Sequence, residues 1–94
     1  MIMNDRILVS VYVISIDQSY EIYIPLARKI GNCVELMCKT IKQFNGDGFN
    51  YENGYLLMDG DTGVMYDLNV VVADSGIKNG SKLILFWGKF VDDK

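Results

Sequence analysis

The chain has 94 residues, half of them hydrophobic and 22% charged, which is the composition of one folded domain and not of a disordered segment. Its formal net charge of −3 argues against a phosphate-binding surface, and so against a nucleic-acid partner, because affinity for phosphate comes mainly from clustered Lys and Arg. The sequence contains no His, the side chain most often used for acid–base catalysis and metal ligation near neutral pH, so we expect neither an enzyme nor a metal or cofactor site.

The first predicted element is a strand over residues 6–16, RILVSVYVISI, which is rich in β-branched side chains. Its odd positions Ile7, Val9, Val11 and Val13 are uniformly β-branched and are expected to face the core. The even positions are mixed in character, so the opposite register stays open, and a slip of one residue would exchange the two faces.

A hairpin is predicted next. Turn-forming residues at 17–20, DQSY, separate the first strand from a second alternating segment over 21–26. On this interpretation Ile22, Ile24 and Leu26 point to the same side of the sheet as the first strand's core residues.

An amphipathic helix is predicted over 29–44, where apolar residues recur at spacings of three and four. Its start is open, because Asn32 and Glu35 resemble a capping box although Ile30 already belongs to the apolar stripe. Its end is expected after Phe44, where NGDG supplies residues that tolerate a left-handed backbone. The stripe comprises Ile30, Val34, Met37, Cys38, Ile41 and Phe44.

The two cysteines, Cys33 and Cys38, lie on this helix about 140° apart, so they cannot bridge each other. We interpret them as small buried hydrophobic residues with reduced thiols, which is typical of a cytosolic compartment. No segment approaches the ~20 consecutive apolar residues that a membrane-spanning helix needs. The chain is therefore expected to be cytoplasmic, without direct membrane insertion.

Three further strands are predicted in the second half of the chain, over 55–58, over 64–66 and from 82 to about 86 or as far as 90. The order β-β-α-β-β-β predicts an α+β fold in which one helix crosses a mixed sheet of four to five strands. Its first and last strands can pair in parallel at the centre, as in a β-grasp. We expect a single domain over 1–94 with a core of about 6–87.

The acidic turn DGDTG between two of these strands places Asp59 and Asp61 two residues apart, as at the start of a calcium loop. Gly63 stands where a third oxygen ligand is expected, and Val70 stands where the final Glu is expected. A tight turn is the better interpretation.

The segment DSGIKNGSKLILF resembles the polar turn and last strand of ubiquitin-like domains, and LLMDGDTGVM is similar to their third strand, turn and short fourth strand. The turn ADSGIKNG further resembles that of the small bacterial YukD/EsaB-type ubiquitin-like proteins linked to type VII secretion. In the turn, Asn79-Gly80 favours a tight reversal and Ile77 is expected to plug it. The match is carried by Asp74, Ile77, Gly80, Ser81, Leu83 and Leu85.

The resemblance implies a protein-interaction module, an accessory or regulatory component of a bacterial type VII secretion system. Conjugation or sulfur transfer in this superfamily needs a flexible tail that ends in Gly-Gly, whereas this chain ends FWGKFVDDK. We therefore expect no conjugation, and a ubiquitin-like modifier is the least favoured alternative.

The sheet face away from the helix is the candidate binding surface, because contiguous apolar patches on small proteins mark partner sites. We expect a protein partner there, such as a secretion-system component. The alternative is that the tail WGKFVDDK covers part of the face. Two alternatives stay open: a homodimer through this face or the last strand, and an excised domain of a larger membrane-anchored protein. The candidate residues are Leu57, Ile84, Phe86, Tyr12 and Tyr23, joined by Leu8.

Overall fold

A computed structural model describes residues 5–46, 49 and 54–87. One helix packs on a four-stranded sheet of order β2-β1-β4-β3, in which β1 and β4 are parallel and the outer pairs are antiparallel. This arrangement confirms the predicted α+β architecture with the first and last strands paired at the centre. The elements are β1 (Arg6–Val13), β2 (Gln18–Pro25), α1 (Ile30–Asn45), β3 (Tyr55–Asp59) and β4 (Lys82–Trp87).

The register predicted for the first strand is confirmed. Val9, Val11 and Val13 are at most 1% exposed, and Ile7 packs against the same core. Ile24 of β2 is also buried, because the antiparallel pairing places it opposite Ile7. The β-branched face of the hairpin therefore lies under α1.

The predicted turn at 17–20 lies three residues too late. β1 ends at Val13, a 3-10 turn covers Ile14–Ile16, and β2 already begins at Gln18. Asp17 makes the reversal with φ 53°, a left-handed conformation that Asp tolerates better than most residues. The hydroxyl of Tyr12 donates to Asp17 Oδ1 at 2.6 Å, which holds this tight turn closed.

The helix begins at Ile30 with Lys29 as its N-cap, so the proposed capping box of Asn32 and Glu35 is wrong. The first-turn N–H groups are satisfied by a distant loop instead: Ile30 and Gly31 donate to backbone carbonyls of residues 70 and 68, each at 2.8 Å. The predicted end is confirmed, since Gly46 caps the helix with φ 56°.

The predicted apolar stripe of α1 is buried except at its last member. Five of its six members are at most 5% exposed: Ile30, Val34, Met37, Cys38 and Ile41. The predicted burial of the sixth member, Phe44, is wrong. Phe44 is 71% exposed, because the last helical turn runs beside the start of β2 and not over the core. Its ring stacks on Tyr20 there, with 6.0 Å between the ring centroids.

The predicted short strand over 64–66 is reduced to one isolated bridge between Met58 and Met65. The Asp59 N–H donates to the Val64 carbonyl at 2.9 Å, and the Tyr66 N–H donates to the Leu57 carbonyl at 3.0 Å. This segment therefore runs along the outer edge of β3. The suggested extension of the last strand to residue 90 and the suggested covering by the tail lie outside the described residues.

Both cysteines are buried, as predicted, and both are free. Burial raises the pKa of the Cys38 thiol to about 12, with Glu35 acting in the same direction, and burial also raises the pKa of Cys33. We expect Ellman's reagent at pH 8 to modify the native thiols at least about tenfold more slowly than those of the denatured chain, because the thiolate is the reactive form. Equal rates would show that the thiols are accessible.

The same pKa shift makes the stability of the fold depend on alkaline pH. Because the folded-state pKa of Cys38 lies above the ordinary thiol pKa of 9.0, the folded state holds the proton more tightly than the unfolded state. The resulting stabilisation is complete below pH 9.0 and is lost as the pH rises towards about 12. Urea unfolding curves of the wild type and Cys38→Ala at neutral and alkaline pH would detect it as a smaller pH dependence in the variant.

Candidate protein-interaction surface

The outer face of β4, away from α1, is apolar as predicted. Leu83 and Leu85 are at most 1% exposed and belong to the core, whereas the alternate residues Ile84 and Phe86 are half-buried on the opposite face. This alternation follows from the pleat of a strand, in which successive side chains point to opposite sides. The two residues that sequence reasoning proposed from this strand therefore lie together.

Tyr12 extends this apolar surface, because it is paired with Ile84 across the parallel β1–β4 ladder. Its ring is 36% exposed, and its hydroxyl is held by Asp17. The hydrogen bond to the Asp17 carboxylate, reinforced by burial, raises the pKa of Tyr12. The phenol thus stays protonated at neutral pH and serves as a fixed apolar and hydrogen-bonding group.

The placement of Leu57 on this surface is wrong. Leu57 is 1% exposed and is paired with Leu85, so it points into the core beneath α1. Its neighbours Leu56 and Met58 take the outer positions, opposite Phe86 and Ile84 respectively. The run Leu56–Met58 carries no polar residue, so no alternation in the sequence indicated which positions face outward.

Tyr23 is exposed on the outer face but does not join the other candidates. It is paired with Leu8 near the start of β1. A polar row of Glu21, Ser10 and Lys82 crosses the sheet between this pair and Tyr12. The structure therefore brings together three of the five predicted site residues and adds two that sequence reasoning missed. We call this surface the sheet-face patch: Tyr12, Leu56, Met58, Ile84 and Phe86.

The acidic turn beside the patch is a tight turn, as predicted. Asp59 Oδ2 accepts hydrogen bonds from the Thr62 hydroxyl at 2.7 Å and from the Thr62 backbone N–H at 2.9 Å. These donors hold the pKa of Asp59 below its usual value. Across the described residues, no group of three or more His, Cys, Asp and Glu side chains is placed to hold a metal ion.

In the part of the chain that the structure describes, no helix has the length and apolar character to cross a membrane.

Neither a protein-family model nor a curated protein sequence matches this chain.

Solved structures do match its fold. The ubiquitin-like domain of the Mycobacterium tuberculosis type VII secretion system protein ECCD1 superposes with a TM-score of 0.64 at 14% identity, covering 86% of this chain and 97% of that one. The ubiquitin-like domain of an Arabidopsis thaliana protein gives a TM-score of 0.65 at 13% identity, covering 95% and 84%.

A chain of an ESX-5 inner membrane complex gives a TM-score of 0.75 at 10% identity, and the match covers 96% of this chain but 23% of that one. At these identities the superpositions establish the fold alone. Together with the mixed sheet, its parallel central pair and the single crossing helix, they show that this chain has the ubiquitin-like β-grasp fold.

Proposed function

We propose that this chain is a non-enzymatic protein-interaction module, an accessory or regulatory component of a bacterial type VII secretion system, acting in the cytoplasm without being conjugated. The sheet-face patch is the observation that carries the proposal. Two structural neighbours support the secretion context, since one is a domain of a type VII secretion protein and another belongs to an ESX-5 membrane complex. The absence of His from the sequence supports a binding role over catalysis.

The composition of the patch suits protein binding. It combines two aromatic rings with Leu, Ile and Met side chains, and aromatic residues and Met are enriched where protein interfaces bury their centres. Met58 can adapt its shape to a partner, while Tyr12 is fixed by its hydrogen bond to Asp17. Met65, which bridges to Met58, and the adjacent Val64 are 48% and 61% exposed and extend the apolar surface past the edge of β3.

A second candidate role follows from the partial coverage of the ESX-5 chain. Because this fold accounts for 23% of that chain, the same unit occurs within a much larger protein of a membrane complex. The described domain would then be one part of a larger secretion component, with the patch facing another part of the assembly. The sequence of the natural reading frame on both sides of the 94 residues distinguishes this role from that of a separate accessory protein.

The proposal predicts that the double variant Ile84→Asp/Phe86→Asp loses partner binding and keeps its fold. Both side chains are half-buried on the outer face, so carboxylates there disrupt an interface without entering the core. Loss of such central anchors is expected to weaken binding by at least about 30-fold. The measurement is an affinity pull-down of the tagged protein from its native host, read by mass spectrometry, with circular dichroism of both proteins.

The matched control is Asn32→Asp/Gln43→Asp, which adds the same two negative charges at exposed positions of α1. Recovery of a secretion ATPase or of secretion membrane components by the native and control proteins, but not by the patch variant, is the expected result. Retention of those partners by the patch variant would contradict docking at this face. An unfolded patch variant would instead assign Ile84 and Phe86 to the core.

A further inference from the structure

A cavity opens on the outer face of the sheet near the start of β1. Its volume is about 390 Å³, and it is lined by Arg6, Ile7, Leu8, Tyr23 and Asn79. Leu8 and Tyr23 are paired across the β1–β2 ladder and supply the apolar part of the lining. The other two outward side chains, Arg6 and Asn79, come from the beginning of β1 and from the turn before β4, so the fold alone brings this set together.

The turn before β4 fixes the position of Asn79. The Leu8 N–H donates to Asn79 Oδ1, and the Leu8 carbonyl accepts from the Gly80 N–H, each at 2.8 Å. Because a backbone N–H can only donate, the amide must turn its oxygen towards Leu8, which leaves the two hydrogens on Nδ2 for another acceptor. No hydrogen bond to any residue within 5–46, 49 and 54–87 uses that Nδ2 group.

Arg6 adds a positive charge to the cavity. It is paired with Pro25, two positions along the ladder from the Leu8–Tyr23 pair, so Arg6 and Tyr23 are diagonal neighbours. The guanidinium offers five donors and no acceptor, and it makes no ion pair or hydrogen bond with another described residue. No carboxylate lines the cavity. A ligand with a negatively charged oxygen acceptor is what such a set of donors can bind.

The charge of the lining favours a carboxylate over a phosphate. The planar fork of one guanidinium matches the two oxygens of a carboxylate, whereas phosphoryl groups carry up to two charges and are recognised by clusters of Arg. The neighbouring charges on Asp5, Glu21, Lys78 and Lys82 do not line the cavity. One cation therefore faces the ligand.

The size of the cavity limits where that carboxylate can come from. Its volume lies near the lower end of the roughly 300–1,000 Å³ that ligand pockets span, so the carboxylate and the apolar group beside it must be close together. Successive side chains of an extended segment point to opposite sides, so an acidic residue and its apolar neighbour do not enter one small cavity together. A C-terminal residue, in contrast, carries its carboxylate and its side chain on the same Cα atom.

We propose that this terminus pocket, defined as Arg6, Leu8, Tyr23 and Asn79, binds the C-terminal carboxylate of a partner protein whose last residue is apolar. The carboxylate accepts from the Arg6 guanidinium and from Asn79 Nδ2, and the last side chain packs on Leu8 and the Tyr23 ring. The polar row across the sheet separates this pocket from the sheet-face patch, and the proposal does not depend on the secretion role.

The test probe is the peptide Gly-Ser-Gly-Ser-Gly-Leu with a free C-terminal carboxylate and an N-terminal fluorescein. Fluorescence anisotropy is expected to show saturable binding, and NMR is expected to show amide shifts at Leu8, Tyr23 and Asn79. The same peptide with a C-terminal amide lacks only the charge and is expected to bind at least about tenfold more weakly. Replacement of its last Leu by Gly is expected to weaken binding at least about fivefold, because the apolar contact is lost.

Two variants test the roles of the polar residues against a matched control. Arg6→Gln removes the charge, and Asn79→Asp keeps the oxygen that accepts from the Leu8 N–H but replaces the Nδ2 donor by a second acceptor. Each is expected to weaken binding at least about tenfold. Lys39→Gln removes a positive charge from an exposed position of α1, on the other side of the sheet, and is expected to retain native affinity. Circular dichroism checks each fold, and Arg6→Gln alone tests the pocket if Asn79→Asp unfolds.

Five outcomes would overturn the proposal. The first is absence of saturable binding, the second is equal binding of the acid and amide peptides, and the third is equal binding by the native protein and Arg6→Gln. The fourth is loss of binding in Ile84→Ala/Phe86→Ala, which would move the peptide to the sheet-face patch. The fifth is binding of an amidated peptide with an internal Glu as tightly as the free acid, which would assign the pocket to acidic side chains.

Discussion

Replacing Leu57 by Ala is expected to lower the free energy of unfolding by about 2–5 kcal/mol, the range for large-to-small changes in packed cores. Leu57 is 1% exposed and lies opposite Leu85 in the layer between the sheet and α1. Truncation would leave a cavity that neighbouring β-strands cannot easily close, since their backbones are held by the central ladders. Urea denaturation followed by circular dichroism gives the midpoint and slope needed.

Leu56→Ala is the matched control, because it deletes the same atoms from the adjacent residue on the outer face. Leu56 is half-buried opposite Phe86, so we expect a loss of less than about 1.5 kcal/mol. A larger loss for Leu56 than for Leu57 would mean that β3 is paired with β4 in the other register. That result would also return Leu57 to the candidate binding surface.

Replacing Ile77 by Ala is expected to cost about 2–4 kcal/mol, because this residue is the apolar plug of the turn before β4. Ile77 is 5% exposed and lies between Gly76 and Gly80, both with φ near 90°. Its N–H donates to Ser75 Oγ at 3.1 Å, which fixes the direction of the side chain into the core. Thermal and urea unfolding of the variant would measure the loss.

The turn around Ile77 also positions the central strand pair. The Gly80 N–H donates to the Leu8 carbonyl and the Leu8 N–H donates to Asn79 Oδ1, each at 2.8 Å. Lys78→Ala changes an exposed side chain in the same turn and is expected to alter stability by no more than about 0.5 kcal/mol. Similar losses for Lys78→Ala and Ile77→Ala would show that the turn, and not the plug, controls stability.

The sheet-face patch is a consequence of the layer structure. The chain has one long helix in its described part, and that helix covers one face of the sheet. The other face of β4 is nevertheless built from Ile84 and Phe86, although an antiparallel or mixed sheet with a solvated face normally carries polar residues there. A second apolar face without a covering helix is what a partner protein would complete.

The elements whose burial follows a simple period could be predicted from the amino-acid sequence alone. The β-branched odd positions of β1, the alternation of Leu83 and Leu85 in β4 and the first five members of the helical stripe were predicted correctly. Each of these patterns repeats over several turns or pleats, so the core face is encoded redundantly. The polar turn with Ile77 could be predicted equally well, because its turn-forming residues reverse the chain while its single apolar residue packs into the core.

Features that depend on partners distant in sequence could not be predicted before the fold was known. The run Leu56–Met58 has no alternation, so pairing with β4 alone determines that Leu57 is buried. Phe44 has the helical period of a core residue, yet its position beside Tyr20 leaves it exposed. The start of α1 is likewise set by carbonyls some 40 residues away at Leu68 and Val70, which replace a local cap.

The same reason explains how much of the sheet-face patch could be predicted. Ile84, Phe86 and Tyr12 follow from the period of single strands, so their shared face could be inferred from sequence. Leu56 and Met58 join that face only through the pairing of β3 with β4, which no local pattern in the sequence reveals. Local sequence encodes which face of a regularly patterned element is apolar, whereas strand pairing determines which side chains of different strands share a face.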